Sequence, residues 1–108
     1  MKSEPTFSGD ELAAILAALD NPHRLRILAA LKVGGRNYVS QLARDIGLSR
    51  PLLHLHLQKL AEAGLVTSRM ELSADGKALN YFEVAEFTLP LAPGLIAEAV
   101  KTLNNKEE

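Results

Sequence analysis

The chain has no cysteine and no tryptophan among its 108 residues, and aromatic residues make up only 5%. Without cysteine there is no disulfide, no thiol nucleophile, no thiolate-ligated zinc and no thiol redox sensor, whatever the compartment. Neither sign of charge is in excess: 12 Lys and Arg stand against 13 Asp and Glu, a formal net charge of −1. No run of about 18 apolar residues could span a bilayer, and no N-terminal stretch has the apolar segment of a secretory leader. A cytoplasmic protein with no membrane association is expected. No nucleophile, base and orienting group cluster at catalytic spacing, so neither an enzyme nor a cofactor is expected.

What the chain does have is aliphatic. Its 47% hydrophobic content, mostly Leu, Ala, Ile and Val, can fill one modest core, and residues 1–108 are expected to form a single domain. The near-neutral charge is unevenly spread. Between positions 21 and 80, nine bases (Arg24, Arg26, Lys32, Arg36, Arg44, Arg50, Lys59, Arg69, Lys77) stand against Asp45, Glu62, Glu71 and Asp75, and the flanks carry the opposite excess. A basic middle between acidic ends suits a nucleic-acid surface, because phosphates respond to local potential rather than to net charge. An ordinary solvated surface is the alternative.

Punctuation along the chain predicts the elements. Ser8-Gly9-Asp10-Glu11 is a capping box, with Phe7 and Leu12 placed as a hydrophobic staple, so a first helix starts at Ser8 with Leu12, Ile15, Leu16 and Leu19 as its stripe. Asn21-Pro22 opens a second helix, carried by Leu25, Ile27, Leu28 and Leu31 to Gly34 and Gly35. Asn37, Tyr38 and Val39 suggest a short strand. Val39, Leu42, Ala43 and Ile46 step along a third helix closed by Gly47. Ser49 can cap a fourth, although Pro51 biases Arg50 away from helical angles; Leu53, Leu57 and Leu60 are its buried stripe, and Gly64 ends it. Residues 65–72 and 78–84 alternate as the strands of a hairpin. Leu95, Ile96, Ala99, Val100 and Leu103 stripe a final helix.

Two short helices joined by a Gly-containing turn and followed by a hairpin make a winged helix-turn-helix, here residues 39–63 with a wing at 65–84. The first helix braces the second, whose outer face can enter the major groove, while the wing turn reaches flanking DNA. The expected fold is mainly α with a small β-hairpin.

ALDNPHRLRIL at 18–28 and LSRPLLHLHLQKLAEAGLV at 48–66 resemble the opening and the recognition segment of ArsR-type winged-helix transcriptional regulators. The likeness runs from about Leu12 to Val84. It implies a homodimer, usually a repressor, that binds double-stranded palindromic DNA, with the terminal helices 8–19 and 91–103 as the dimerisation pair. Leu12, Ile15, Leu16, Leu19, Leu95, Ile96, Ala99 and Leu103 are then the candidate dimer interface. Many family members sense metals through Cys-x-Cys in the first helix of the motif or through His and carboxylates on the last helix. Here Tyr38 and Ser40 fall at the cysteine positions and the last helix offers only Glu98, so no metal site is expected there.

The candidate DNA contacts are Arg44, Ser49, Arg50, Leu52, His54, Leu55 and Lys59 in the helix-turn-helix, with Arg69 and Lys77 on the wing and its 73–77 turn. With Leu53 at zero, Leu57 and Leu60 fall within about 40° at ~100° per residue, so Leu55 points nearly opposite and Leu52 to one side. These leucines face DNA, the wing or a partner protein. His54 and His56 lie about 200° apart and cannot chelate one ion together. His56 reads as a packed, hydrogen-bonded ring, with a DNA contact as the alternative; His54 as leaning to the exposed side, contacting phosphate or base; His23 as surface or capping, with a phosphate contact as the alternative. The competing function is a winged-helix protein-interaction module with weak or no sequence-specific DNA binding. An unidentified effector or protein partner stays open.

Overall fold

A computed structural model describes residues 7–104. Local side-chain chemistry sets where the helices begin. Ser8 Oγ accepts from Glu11 N (3.0 Å) while Ser8 N donates to Glu11 Oε1 (2.9 Å), and this reciprocal pair starts α1 (Gly9–Leu19). Asn21 Oδ1 accepts from Arg24 N (3.2 Å) ahead of Pro22, the first residue of α2 (Pro22–Gly34). Helix α3 (Val39–Ile46) stops at Gly47, which takes the left-handed φ of 83°; its N–H and that of Leu48 return to Ala43 O at 2.8 and 3.1 Å. In α4 (Arg50–Glu62), Ser49 Oγ accepts from Leu52 N at 3.3 Å. Arg50 is helical despite the proline after it. Pro51 falls in the first turn, where a missing N–H costs the helix no bond, and the Ser49 cap outweighs the steric bias.

Strand β1 is Asn37–Tyr38, and Val39 already belongs to α3. Strands β2 (Val66–Leu72) and β3 (Ala78–Val84) form the wing, in register from Val66 opposite Val84 to Leu72 opposite Ala78. Ser73 N donates to Lys77 O at 2.7 Å across the turn. β1 pairs with the other edge of β3, Asn37 with Phe82 and Tyr38 with Tyr81, giving the sheet order β1-β3-β2. The wing is therefore tied back to the segment that leads into α3.

Ile27, Leu31, Leu42, Leu53, Leu57, Leu60 and Leu65 are almost wholly buried, joined by Ile15 and Ala18 of α1 and Phe82 of β3. Each such aliphatic side chain contributes roughly 1.5–3 kcal/mol on burial, so α2, α3 and α4 form the rigid base of the site. Leu25 does not belong to this stripe. It lies two residues before Ile27, about 200° around the helix, and is exposed.

The last helix, α5 (Pro93–Val100), is shorter than the expected 91–103, and Leu91 and Leu103 flank it. It meets the start of α1 closely: a Cβ on Gly9 would stand 2.6 Å from Ala99 O and 2.9 Å from Leu103 Cα. Gly9 N donates to Thr102 Oγ1 (2.9 Å), and Asn104 N to Asp10 Oδ1 (3.2 Å). The apolar stripes divide accordingly. Ile15 (5% exposed) and Ala99 are buried within the protomer, Leu12 and Leu19 are half-buried, and Leu16, Leu95, Ile96 and Leu103 remain exposed.

Candidate nucleic-acid interface

The face that α4 turns to the core is Leu53, His56, Leu57 and Leu60. Its other side is open. Leu52 and Leu55 are 39% and 60% exposed, and Arg50, His54, Gln58 and Lys59 are exposed around them. The hairpin does not cover the two leucines, which removes one of their three expected destinations. Arg44 is exposed on α3, held by Gln41 Oε1 at 2.6 Å. On the wing, Lys77 is exposed in the turn, and Arg69 is largely exposed at 3.9 Å from Glu71. Ser49 is committed as the α4 cap, so only its O–H remains for a phosphate. Lys59 stands at the rim of a cleft shared with Ala14, Ala17 and Ala18 of α1 and with Arg24, Glu62 and Ala63, toward the α1 side of the helix.

Arg24 and Arg36, among the nine central bases, are held by other groups of the protomer. Arg24 Nε donates to Ala18 O (2.6 Å), Nη2 to Ala17 O (3.3 Å) and Nη1 to His56 Nδ1 (3.2 Å). Helix α1 has no base in its own last turn. Arg24, one turn into the next helix, supplies the positive charge that the partial negative charge at the α1 C-terminus favours. Arg36 meets Glu71 Oε2 at 2.6 Å and lies 4.4 Å from the Tyr81 ring centroid, while Tyr38 packs edge-on against Tyr81. The guanidinium holds the Glu71 carboxyl below the usual carboxylate range, and the cluster clamps the wing to the β1 edge. Composition counted both arginines as free cations. The clue for Arg24 was its place beside a helix end that lacked a base; for Arg36 the partner is 35 residues away, and no local pattern points to it.

The histidines separate by phase. His56 is buried and accepts from Arg24, and arginine has only donors, so Nδ1 is unprotonated and the neutral ring carries its proton on Nε2. Burial first, then the charge of Arg24 and the neighbouring His23, push its pKa below the ordinary imidazole value. His54 is exposed. His23 is not the surface or capping residue expected. It is half-buried, its ring centroid lies 5.5 Å from that of His56, and its Nδ1 is buried with no hydrogen-bond partner among the described residues.

This arrangement has counterparts. A helix-turn-helix domain family matches residues 19–69, which span α2 to β2. An uncharacterized HTH-type transcriptional regulator of Methanocaldococcus jannaschii is 39% identical over 70 residues, 65% of this chain and 72% of that protein. Among solved structures, the homodimeric winged helix-turn-helix DNA-binding domain of a possible ArsR-family regulator from Mycobacterium bovis superposes with a TM-score of 0.62. It is 26% identical, and the match covers 85% of this chain and 74% of that one. The chain belongs to the ArsR-type winged helix-turn-helix transcriptional regulators. The transcriptional repressor BigR from Xylella fastidiosa shares the fold at a TM-score of 0.59 and 25% identity, over 85% of this chain and 79% of its own. Among the described residues no helix is long and apolar enough to cross a membrane.

Proposed function

We propose that the regulator acts in the cytoplasm as one winged helix-turn-helix unit per protomer, a homodimeric repressor that lays α4 in the major groove and its 73–77 turn on flanking DNA. The observation that carries this reading is the open outer side of α4, flanked by Arg50 and Lys59, with further exposed cations on α3 (Arg44) and the wing (Arg69, Lys77). These cations and Ser49 position the backbone, while Leu52, His54 and Leu55 lie nearest the bases. Leu16, Leu95, Ile96 and Leu103 supply the exposed apolar surface for a two-fold partner, extended at its edges by Leu12 and Leu19. The homodimeric M. bovis neighbour and the repressor BigR support this assembly and sign of regulation.

The test is binding to duplex DNA across roughly 50–200 mM salt, where phosphate-driven association weakens steeply. Arg50→Ala and Lys77→Ala should each weaken binding to every duplex and reduce the salt slope by about one unit. Unchanged slopes in both variants would reject this docking. The exposure of Leu52 and Leu55 favours a second reading, a protein-interaction module, and complete absence of salt-dependent DNA binding would select it.

A further inference from the structure

Two leucines occupy the turns of α4 from which a groove helix normally contacts bases. In helix-turn-helix proteins the N-terminal residues of the second helix reach the base edges, and here Leu52 and Leu55 project from the first two turns, 39% and 60% exposed. The exposed arc of the helix they share is otherwise cationic or polar: Lys59 follows Leu55 by one turn, Gln58 and His54 lie beyond it, and Arg50 stands at the N-terminal end. Gln58, an outward side chain able to pair bidentately with adenine, donates instead to Glu62 Oε2 at 3.3 Å. Leucine neither donates nor accepts a hydrogen bond. The occupant that matches an apolar pair set among cations is a polyanion with an apolar feature on its exposed edge. In the major groove that feature is the C5 methyl of thymine.

We infer that Leu52 and Leu55 read thymine methyl groups, so that each DNA half-site carries thymines under the first two turns of α4. This rests on the placement of α4 in the groove proposed above. Residues three apart on a helix have Cβ atoms about 5–6 Å apart, and base pairs rise about 3.4 Å each. The two thymines therefore sit on adjacent or next-but-one base pairs. Burying one methyl-sized group against leucine corresponds to about a fourfold gain in affinity.

Duplexes selected by the wild-type protein from a randomised library should show such a thymine pair in each half-site. Replacing those thymines by deoxyuridine keeps every hydrogen-bonding group and deletes only the methyl; binding should weaken about fourfold per methyl. In Leu52→Ala and Leu55→Ala, both at exposed positions and checked for an unaltered melt, the uracil effect at the corresponding base should fall below about twofold if truncation removes most of the contact. 5-Methylcytosine at the same position should bind better than cytosine. Equal binding of thymine and uracil duplexes by the wild type, or a full uracil effect in both variants, overturns the inference and leaves the leucines to a protein partner. Failure to bind any duplex is a separate result, and it overturns the groove placement itself.

Discussion

Replacing Arg24 separates an internal role from a phosphate contact, because the two predict opposite readouts. The guanidinium makes three hydrogen bonds, of which the 2.6 Å bond to Ala18 O is the shortest, and it is the base placed at the end of α1. A charge-assisted bond contributes about 1.5–3 kcal/mol, and a cation at a partly buried helix C-terminus about 0.3–2 kcal/mol. These overlap, since both describe the same charge facing the same carbonyls. Truncation also strands the buried His56 Nδ1 without its donor. Arg24→Ala should therefore destabilise the fold by about 2–4 kcal/mol, which at roughly 4–8 °C per kcal/mol lowers the melting temperature by about 10–25 °C. Arg24→Lys should recover part of this, because a single ammonium cannot reproduce the planar fork that spans three acceptors. Thermal unfolding followed by circular dichroism, with DNA binding at several salt concentrations well below the melt, gives both readouts. The salt slope should be that of the wild type. A near-unchanged melt combined with a slope lower by about one unit would refute the internal role and return Arg24 to the DNA surface.

The lowered pKa of His56 means that between the ordinary imidazole value of 6.5 and the folded value the unfolded chain binds a proton that the folded chain does not. Its stabilisation is thus fully present above about pH 6.5 and is lost as pH falls through the folded value; melts between pH 8 and 5 should show the drop, and His56→Gln should flatten it. Gly9→Ala would raise helix propensity by up to about 1 kcal/mol, yet its Cβ would meet Ala99 O at 2.6 Å, so a net loss of roughly 1–3 kcal/mol from overpacking is expected in denaturant titration; a more stable variant would disprove the close approach of α1 and α5. Leu16→Glu and Ile96→Glu, at exposed positions, should give folded monomers in sedimentation, and a wild type that is itself monomeric at micromolar concentration would count against the dimer.

Much of the fold was legible because its signals are local. A capping box, an Asn-Pro pair and a serine before proline start α1, α2 and α4 within a residue of where they are seen, since each cap satisfies N–H groups only two or three positions away. The helical phase of α4 was equally readable: 100° arithmetic put Leu53, Leu57 and Leu60 inside and Leu55 outside, and they are found so. What local pattern could not carry was partnership at long range. The strand at Asn37–Tyr38 was visible as a strand, but not its pairing with β3 more than 40 residues later. The basic middle was visible as a count, yet a count treats every cation alike, whereas Arg24 is drawn to His56 and the end of α1, and Arg36 is paired with Glu71 on the surface. The same limit applies to α1. An amphipathic stripe states that a face is apolar, not whose core it covers, and Ile15 goes to its own protomer while Leu16, one residue on and about 100° around, is left exposed. The α4 leucines were the point where local rules conflicted with the expected role, since an apolar side chain outside the core costs solubility without adding stability. Such a conflict is informative where it falls on a face free to meet a partner.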